Sequence, residues 1–194
     1  MVSPDLAARL DTYKALLTTW NARINLVAPG DLASLDRRHL SDSLQLLPLL
    51  PPAGVAADLG SGAGLPGLIL AAAEPQRAWH LVESDRRKAA FLVEATRAMD
   101  LRNVTIHTAR IESTSLPPLA VLTARALAPL TQLLVYAERF LGRDGVALFP
   151  KGRNAEAELT EALHGWRLRV ERHPSATDPA ATILRLSEIA RAGA

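Results

Sequence analysis

The sequence contains no cysteine. Without a thiol the chain has no disulfide, no thiolate nucleophile and no thiolate ligand for a metal ion. Long apolar runs are also missing: 48% of the residues are hydrophobic, but polar or charged side chains interrupt every run well before the length of a membrane span. The first residues, 1–6, have neither the basic region nor the apolar stretch of a secretory signal. We therefore expect a soluble, cytoplasmic protein with no membrane segment and no bound metal.

Lysine is scarce, since 19 of the 22 basic residues are arginine, and the formal net charge is only +2. Arginine forks match the geometry of phosphate groups. A polyanion-binding face and an ordinary solvated surface both remain open, because charge alone does not separate them. The basic residues form four clusters, Arg37-Arg38-His39, Arg86-Arg87-Lys88, Lys151-Gly152-Arg153 and Arg167/Arg169/Arg172.

A length of 194 residues suits one globular domain. Residues 1–50 form a predicted N-terminal helical extension. Ser3 is a typical N-cap and Pro4 a typical first helical residue. Residues 31–35 and 39–44 predict shorter helices after a break at Pro29-Gly30. In this first helix, before the break, apolar residues recur at alternating steps of four and three, which indicates a stripe that packs on the core: Leu6, Leu10, Tyr13, Leu17, Trp20 and Ile24.

Residues 51–194 form the predicted globular unit, in which short apolar runs alternate with amphipathic segments. We predict strands at 55–59, 78–83, 104–107, 119–124 and 145–149, and helices at 66–73, 85–100, 128–142 and 154–164. Two stretches from Trp166 and Thr182 alternate in period two and predict two final strands. The fold class is therefore α/β, a Rossmann-like, doubly wound, mostly parallel sheet with an antiparallel C-terminal edge strand.

The sharpest motif is Asp58-Leu-Gly60-Ser-Gly62-Ala-Gly64-Leu65-Pro66-Gly67, in which a predicted strand runs into a glycine-rich loop that opens a helix. Glycines permit a tight turn and close backbone approach, and a helix N-terminus offers free N–H groups to an anion. The next strand ends in Glu83, about 20 positions beyond Gly64. A carboxylate at that place can accept hydrogen bonds from both hydroxyls of a ribose. The combination predicts a nucleotide-type cofactor.

The spacing of the glycines chooses between two classes of enzyme. Dinucleotide loops usually read G-x-G-x-x-G, whereas this loop reads D-x-G-x-G-x-G and resembles the first motif of class I methyltransferases. After the third strand, Ile111 and Glu112 suit the packing of an adenine ring and the binding of its amine. Enzymes that methylate exocyclic amines usually carry Asn or Asp before Pro-Pro after the fourth strand. The sequence there, Thr123-Ala-Arg125-Ala126, has no such motif.

An ordered set of motifs resembles the RsmG (GidB) family of bacterial methyltransferases. The set comprises His39-Leu-Ser-Asp42-Ser43, the glycine loop 58–67, Val82-Glu83-Ser84 with Lys88-Ala-Ala-Phe91-Leu92, Thr123-Ala-Arg125-Ala126, and Lys151-Gly152. The resemblance implies methylation of N7 of one guanosine in small-subunit (16S) rRNA, with S-adenosyl-L-methionine as cofactor and the 16S rRNA or the small ribosomal subunit as partner. It implies cofactor contacts by Gly60, Leu65, Ile111, Glu112 and Arg125.

Together with the loop argument, the predicted cofactor site comprises Asp58, Gly60, Gly62, Gly64, Leu65, Glu83, Ile111, Glu112 and Arg125. The predicted RNA side comprises His39, Asp42, Arg125, Lys151 and Arg153. Arg125 is expected to serve the cofactor carboxylate, guanine O6 or a phosphate. His39 and Asp42 also suit a capped helix end, and Lys151 and Arg153 ordinary surface charge. No general base is expected, because guanine N7 carries an exposed lone pair, and a monomer is expected.

Three alternatives remain open at this point. A nicotinamide-dependent oxidoreductase shares the glycine loop and Glu83. A non-catalytic RNA-binding module would retain the fold without methyl transfer. A methyltransferase acting on a small molecule or a protein would retain every cofactor residue and change only the partner.

Overall fold

The computed structural model describes residues 3–193; Met1, Val2 and Ala194, which belong to the two predicted units, lie outside the described residues. Helix α1 (Pro4–Asn21) begins as its sequence predicts, because the Ser3 side chain accepts a hydrogen bond from the Leu6 amide at 3.2 Å. Its apolar stripe packs inward, and Tyr13 and Leu17 are fully buried. The rings of Tyr13 and Trp20 meet Phe91 edge to face, with centroids 6.1 and 5.8 Å apart.

The segment after α1 is helical but irregular. A 3-10 helix covers Pro29–Ser34, a π-helical turn covers Asp36–Ser41, and α2 (Asp42–Leu44) and a 3-10 turn (Leu47–Leu49) follow. Both predicted short helices are present, although as 3-10 and π turns for the most part. The wider π turn is of the kind that recurs at functional sites, and here it carries His39.

A seven-stranded sheet forms the centre of the molecule. The first five strands agree with the predicted positions to within four residues, and the fifth begins earlier, at Leu141, because the helix before it stops at Phe140. The strands are β1 (Ala56–Leu59), β2 (Trp79–Glu83), β3 (Val104–Thr108), β4 (Leu119–Ala124), β5 (Leu141–Lys151), β6 (Trp166–Pro174) and β7 (Thr182–Arg191).

Helices cover both faces of this sheet. Two hydrophobic clusters lie on its two sides, one between the sheet and the helices within residues 4–98, the other between the sheet and the helices within residues 130–163. Among the helices that the structure describes, none has the length and apolar character needed to cross a bilayer. The remaining helices are α3 (Gly67–Ala73), α4 (Arg86–Ala98), α5 (Leu130–Phe140) and α6 (Ala155–Leu163), with a 3-10 turn at Ile111–Ser113.

The strand order is β3-β2-β1-β4-β5-β7-β6. Strands β1 to β5 pair in parallel, whereas β7 is antiparallel to both β5 and β6. The predicted doubly wound sheet is confirmed, and the reversed strand β7 lies one place inside the edge strand β6. The strand order reverses between β1 and β4, so ligands are expected at the carboxyl ends of these two strands.

Candidate active site

The glycine loop leaves β1 at this reversal point. Gly60 and Gly62 have φ of +63° and +53°, a left-handed backbone that favours glycine. A Cβ on Gly60 would lie 2.5 Å from Leu127 Cδ1. The loop therefore needs glycine at position 60 for two reasons, backbone conformation and close approach to the segment after β4.

Asp58 lies beneath this loop. It is buried, and its Oδ1 accepts a hydrogen bond from Thr123 Oγ1 at 2.7 Å, which joins the ends of β1 and β4. Burial raises the pKa of the Asp58 carboxyl to about 6, although the Thr123 hydroxyl opposes the shift. Asp58 is therefore placed to organise the loop from below.

Glu83 ends β2 beside the loop. Its Oε2 accepts a hydrogen bond from the Gly62 amide at 2.9 Å, and its Oε1 accepts one from the Asp85 amide at 2.7 Å. Each oxygen keeps further acceptor capacity, since an ionised carboxylate has about four lone-pair sites. The side chain is buried at the edge of a cavity, in the position expected for a ribose-binding acid.

A cavity of about 440 Å³ opens between the glycine loop and the ends of β2 and β3. Gly60, Gly62, Glu83, Ile111 and Glu112 line it, as the sequence predicts. Tyr136, which sequence reasoning missed, also lines it and donates a hydrogen bond from its hydroxyl to Glu112 Oε1 at 2.7 Å. This bond lowers the pKa of Glu112. We call this space the donor cavity.

Besides Arg125, which lines a different cavity described below, three predicted cofactor residues do not line the donor cavity. Asp58 lies below it, and Leu65 belongs to the hydrophobic cluster on the α1 side of the sheet. Gly64 packs so tightly that an added Cβ would lie 2.7 Å from Leu68 Cβ. These residues shape the loop from behind, and direct contact with a cofactor remains a prediction for them.

A second, larger cavity of about 800 Å³ lies on the other side of the segment after β4. His39, Asp42, Arg125 and Lys151 line it. Arg125 Nη1 lies 3.0 Å from His39 Nδ1 and 3.4 Å from Asp42 Oδ2. The structure thus brings three predicted residues together across more than 80 positions of sequence. We call this space the acceptor cavity.

His39 is held in one tautomer by these contacts. A guanidinium nitrogen can only donate, so His39 Nδ1 accepts and Nε2 carries the hydrogen. Nε2 faces Asp31 Oδ2 at 3.4 Å. Burial, and then the charge of Arg125, lower the pKa of His39. The imidazole is therefore neutral near pH 7 and helps to aim Arg125.

Asp42 is held by its neighbour Gln45 and by Thr177 from a distant part of the chain, two contacts that sequence reasoning missed. Its Oδ1 accepts hydrogen bonds from Gln45 Nε2 and Thr177 Oγ1, both at 2.7 Å. Gln45 in turn accepts the Ala176 amide at 2.8 Å. The connection between β6 and β7 therefore closes one side of the acceptor cavity. No local pattern in 175–181 signals this role.

Lys151 points into the protein. Its Nζ donates to the Ala128 carbonyl at 3.0 Å and to Glu158 Oε2 at 2.8 Å, and its side chain is only 10% exposed. The same Glu158 oxygen accepts the Leu130 amide at 2.8 Å, at the start of α5. Lys151 is thus a support for the segment after β4. Arg153 is exposed, and its predicted contact with RNA phosphate remains a prediction.

The segment Ala126–Ala128 separates the two cavities and lines both of them. Ala126 has a φ of +50°, which costs a non-glycine residue about 1–2 kcal/mol. Such strain persists only where surrounding contacts hold it, and Lys151 supplies one of those contacts. Ligands in the two cavities would therefore contact the same three residues.

Helix α1 also reaches the glycine loop. The Tyr13 hydroxyl donates to the Ala63 carbonyl at 2.8 Å, and the whole side chain is buried. Burial raises the pKa of Tyr13, so it stays a donor. The only sequence signal was a polar tip within an apolar stripe. Among residues 3–193, no cluster of three or more His, Cys, Asp or Glu side chains is arranged to hold a metal ion.

Several solved structures with this architecture are named methyltransferases or methylases. The chain superposes on the ribosomal protein L11 methylase of Lactobacillus delbrueckii subsp. bulgaricus with a TM-score of 0.61, 15% identity and coverage of 76% of each chain. It superposes on M. jannaschii TYW2 in complex with AdoMet with a TM-score of 0.61 and 16% identity, over 88% of this chain and 80% of the other. The fold is that of a class I methyltransferase.

Sequence comparison identifies the family within that class. The model of the GidB family, rRNA small subunit methyltransferase G, matches residues 6–178. The chain is 55% identical to ribosomal RNA small subunit methyltransferase G of Granulibacter bethesdensis, over 98% of this chain and 89% of the relative. It is 49% identical to the protein of the same name from Gluconobacter oxydans, over 98% and 97%.

The chain therefore belongs to the rRNA small subunit methyltransferase G family. The predicted family, fold class, enzyme class and S-adenosyl-L-methionine cofactor are confirmed at this level. The oxidoreductase alternative, which shares only the glycine loop and Glu83, is set aside.

Proposed function

We propose that this protein transfers the methyl group of S-adenosyl-L-methionine to N7 of one guanosine in 16S rRNA. The observation that carries the proposal is the shared segment Ala126–Ala128, which lines both the donor and the acceptor cavity. A methyl donor and a base that both contact this segment lie next to each other, and transfer requires the methyl carbon and N7 to come into direct contact at its edge. Membership of the family supports the rRNA substrate.

The donor cavity fits a nucleoside cofactor. Glu83 presents a buried carboxylate with unused lone pairs, which suits two ribose hydroxyls. Gly60 and Gly62 line the cavity without a side chain, so a ligand can approach the backbone of the loop there. Ile111 offers an apolar surface for adenine, and Glu112 offers an acceptor for its amine. When bound, S-adenosyl-L-methionine supplies an electrophilic methyl group on a sulfonium.

The acceptor cavity fits a purine that needs no deprotonation. Guanine N7 has an in-plane lone pair that is free near neutral pH, so the protein has only to orient the ring and exclude water. Arg125 is aimed by His39 and Asp42 through Nη1. Its other guanidinium nitrogens can donate to guanine O6 or to a phosphate. His39, being neutral, does not repel the positive charge that the methylated ring acquires.

The proposal includes a monomer in the cytoplasm. Both cavities are lined by residues of one chain, so a second copy is not needed to complete the site. The proposed substrate is assembled in the cytoplasm of bacteria. Analytical ultracentrifugation at micromolar concentration tests the monomer, and a sedimentation coefficient that grows with concentration would contradict it.

The decisive experiment uses small-subunit particles and naked RNA from cells that lack this protein. Labelled methyl transfer from S-adenosyl-L-methionine is measured, and N7-methylguanosine is mapped by chemical cleavage. A single new cleavage in the small-subunit RNA establishes the reaction, the substrate and the atom together. Transfer to a protein or a small molecule, with no cleavage of the RNA, would refute the proposal and show a methyltransferase with a different substrate.

A further inference from the structure

A groove lies where the end of α1 packs against the start of α4. Two adjoining concavities of about 350 and 290 Å³ form it, and both contain Arg23, Ile24 and Arg87. Because they share these residues, they are one continuous surface. We call it the α1–α4 groove and define it by Trp20, Arg23, Ile24, Arg86, Arg87 and Lys88.

The groove concentrates positive charge. Four cations line it against a single carboxylate, that of Asp85, which is engaged as the cap of α4 by the Arg87 amide at 2.8 Å and the Lys88 amide at 3.4 Å. The local excess of three positive charges is larger than the net charge of +2 for the whole chain. This face is therefore a strong local attractor for an anion.

The cations occupy an unfavourable place for helix stability. The first turn of α4 consists of Arg86, Arg87 and Lys88, and this turn contains no acidic residue. The N-terminus of a helix carries partial positive charge, so basic residues there repel it. A sequence that keeps three bases at such a position is better explained by a bound polyanion than by folding.

The groove also offers a surface for a nucleobase. Trp20 is half-buried, with its ring edge to face on Phe91 at 5.8 Å, and it lines the groove beside Ile24. A partly exposed indole that lines a groove can serve as a stacking platform, since every base has a π-face to stack on it. Cations around an aromatic platform are the combination that single-stranded nucleic acid requires.

We propose that the α1–α4 groove binds a single-stranded stretch of the substrate RNA beside the target guanosine. One base stacks on Trp20, and phosphates bind Arg23, Arg86 and Arg87. The inference rests on the proposed function for the identity of the RNA. Lys88 lines both this groove and the donor cavity, so the groove adjoins the site proposed for the methyl donor.

The first test compares two variants with the same loss of charge. Arg23→Gln/Arg86→Gln changes the groove, and Arg102→Gln/Arg143→Gln changes exposed arginines elsewhere. We expect the groove variant to raise KM for RNA severalfold while kcat and S-adenosylhomocysteine affinity hold. The slope of log KM against the logarithm of the salt concentration should fall by about 1.4, at about 0.7 for each of the two lost phosphate contacts. Equal effects of both variants, or no effect of either, would overturn the proposal.

The second test needs no turnover, so it decides on the groove even if the wild type transfers no methyl group to RNA. The chain has three tryptophans, of which Trp79 and Trp166 are buried, so quenching of fluorescence by a bound base reports on Trp20. We expect oligouridylate to quench the wild type and the Arg102/Arg143 variant, and the Arg23/Arg86 variant far less. Quenching by oligoglutamate as strong as by oligouridylate, or no quenching by oligouridylate, would refute RNA binding in this groove.

Discussion

Lys151 Nζ lies 3.0 Å from the Ala128 carbonyl and holds the segment that separates the two cavities. Replacing Lys151 with Met removes this bond and leaves Glu158 without its cation. We expect a loss of about 1–3 kcal/mol in the free energy of unfolding, and a fall in kcat of between about tenfold and a hundredfold as the strained segment relaxes. Urea denaturation and single-turnover methyl transfer measure the two effects.

The double variant Lys151→Met/Glu158→Gln separates support of the segment from simple destabilisation. It removes the unpaired charge, so stability should partly return, whereas kcat should stay low because Ala128 still lacks its donor. Recovery of kcat in step with stability would show that Lys151 contributes only to folding.

Arg125 contacts His39 and Asp42 and lines the acceptor cavity, although the family resemblance implies a cofactor contact. We expect Arg125→Gln to lower kcat/KM for RNA by roughly 10- to 100-fold, since one charged hydrogen bond is lost. S-adenosylhomocysteine affinity, measured by calorimetry, should stay close to the wild-type value. A parallel loss of both would place Arg125 on the cofactor instead.

Gly60 lies against Leu127, so Gly60→Ala would force Leu127 away from its place between the cavities. The added Cβ also strains a φ of +63°, at a cost of about 1–2 kcal/mol. We expect thermal stabilisation by S-adenosylhomocysteine to disappear. Gly165→Ala is the matched control, since nothing lies within 4 Å of its Cβ position. Normal ligand stabilisation in Gly60→Ala would contradict this reading of the loop.

Asp58 makes stability depend on pH. Its pKa rises from 3.8 to about 6 on folding, so the native state binds a proton more tightly than the unfolded state. The contribution is full below about pH 4 and is lost as the pH rises through 6, a change on the order of 3 kcal/mol. As the pH rises from 4 to 7, the wild type should therefore lose about this much unfolding free energy relative to the Asp58→Asn variant, whose side chain does not titrate. Parallel curves from pH 4 to 7 would rule this out.

The donor cavity was largely predictable because its residues lie next to each other in the strand and loop pattern. Glu83 ends β2 and Gly60 follows β1, and the carboxyl ends of neighbouring parallel strands meet at one edge of the sheet. Tyr136 was missed because it lies in the middle of an amphipathic helix, where its spacing is that of a core residue.

The acceptor cavity was predictable only in part. His39, Asp42 and Arg125 were singled out from motifs, but their mutual contact spans more than 80 residues. Thr177 reaches Asp42 from a connection with no pattern of its own. Lys151 was expected at an RNA phosphate because a lysine after a strand suggests an exposed cation, whereas Glu158 and Ala128 turn it inward.

By itself, the sequence determined the mostly parallel sheet and the glycine loop, because these follow from local periodicity, backbone freedom and the alternation of strands and helices. Only the tertiary structure decided which polar groups face a cavity and which face one another. That choice depends on packing between distant segments, as when α1 brings Tyr13 to the glycine loop and α6 brings Glu158 to Lys151. Hydrogen bonds between such segments have no counterpart in local sequence patterns. Each polar side chain can pair with several donors or acceptors, and packing of the distant segments decides which of them it meets.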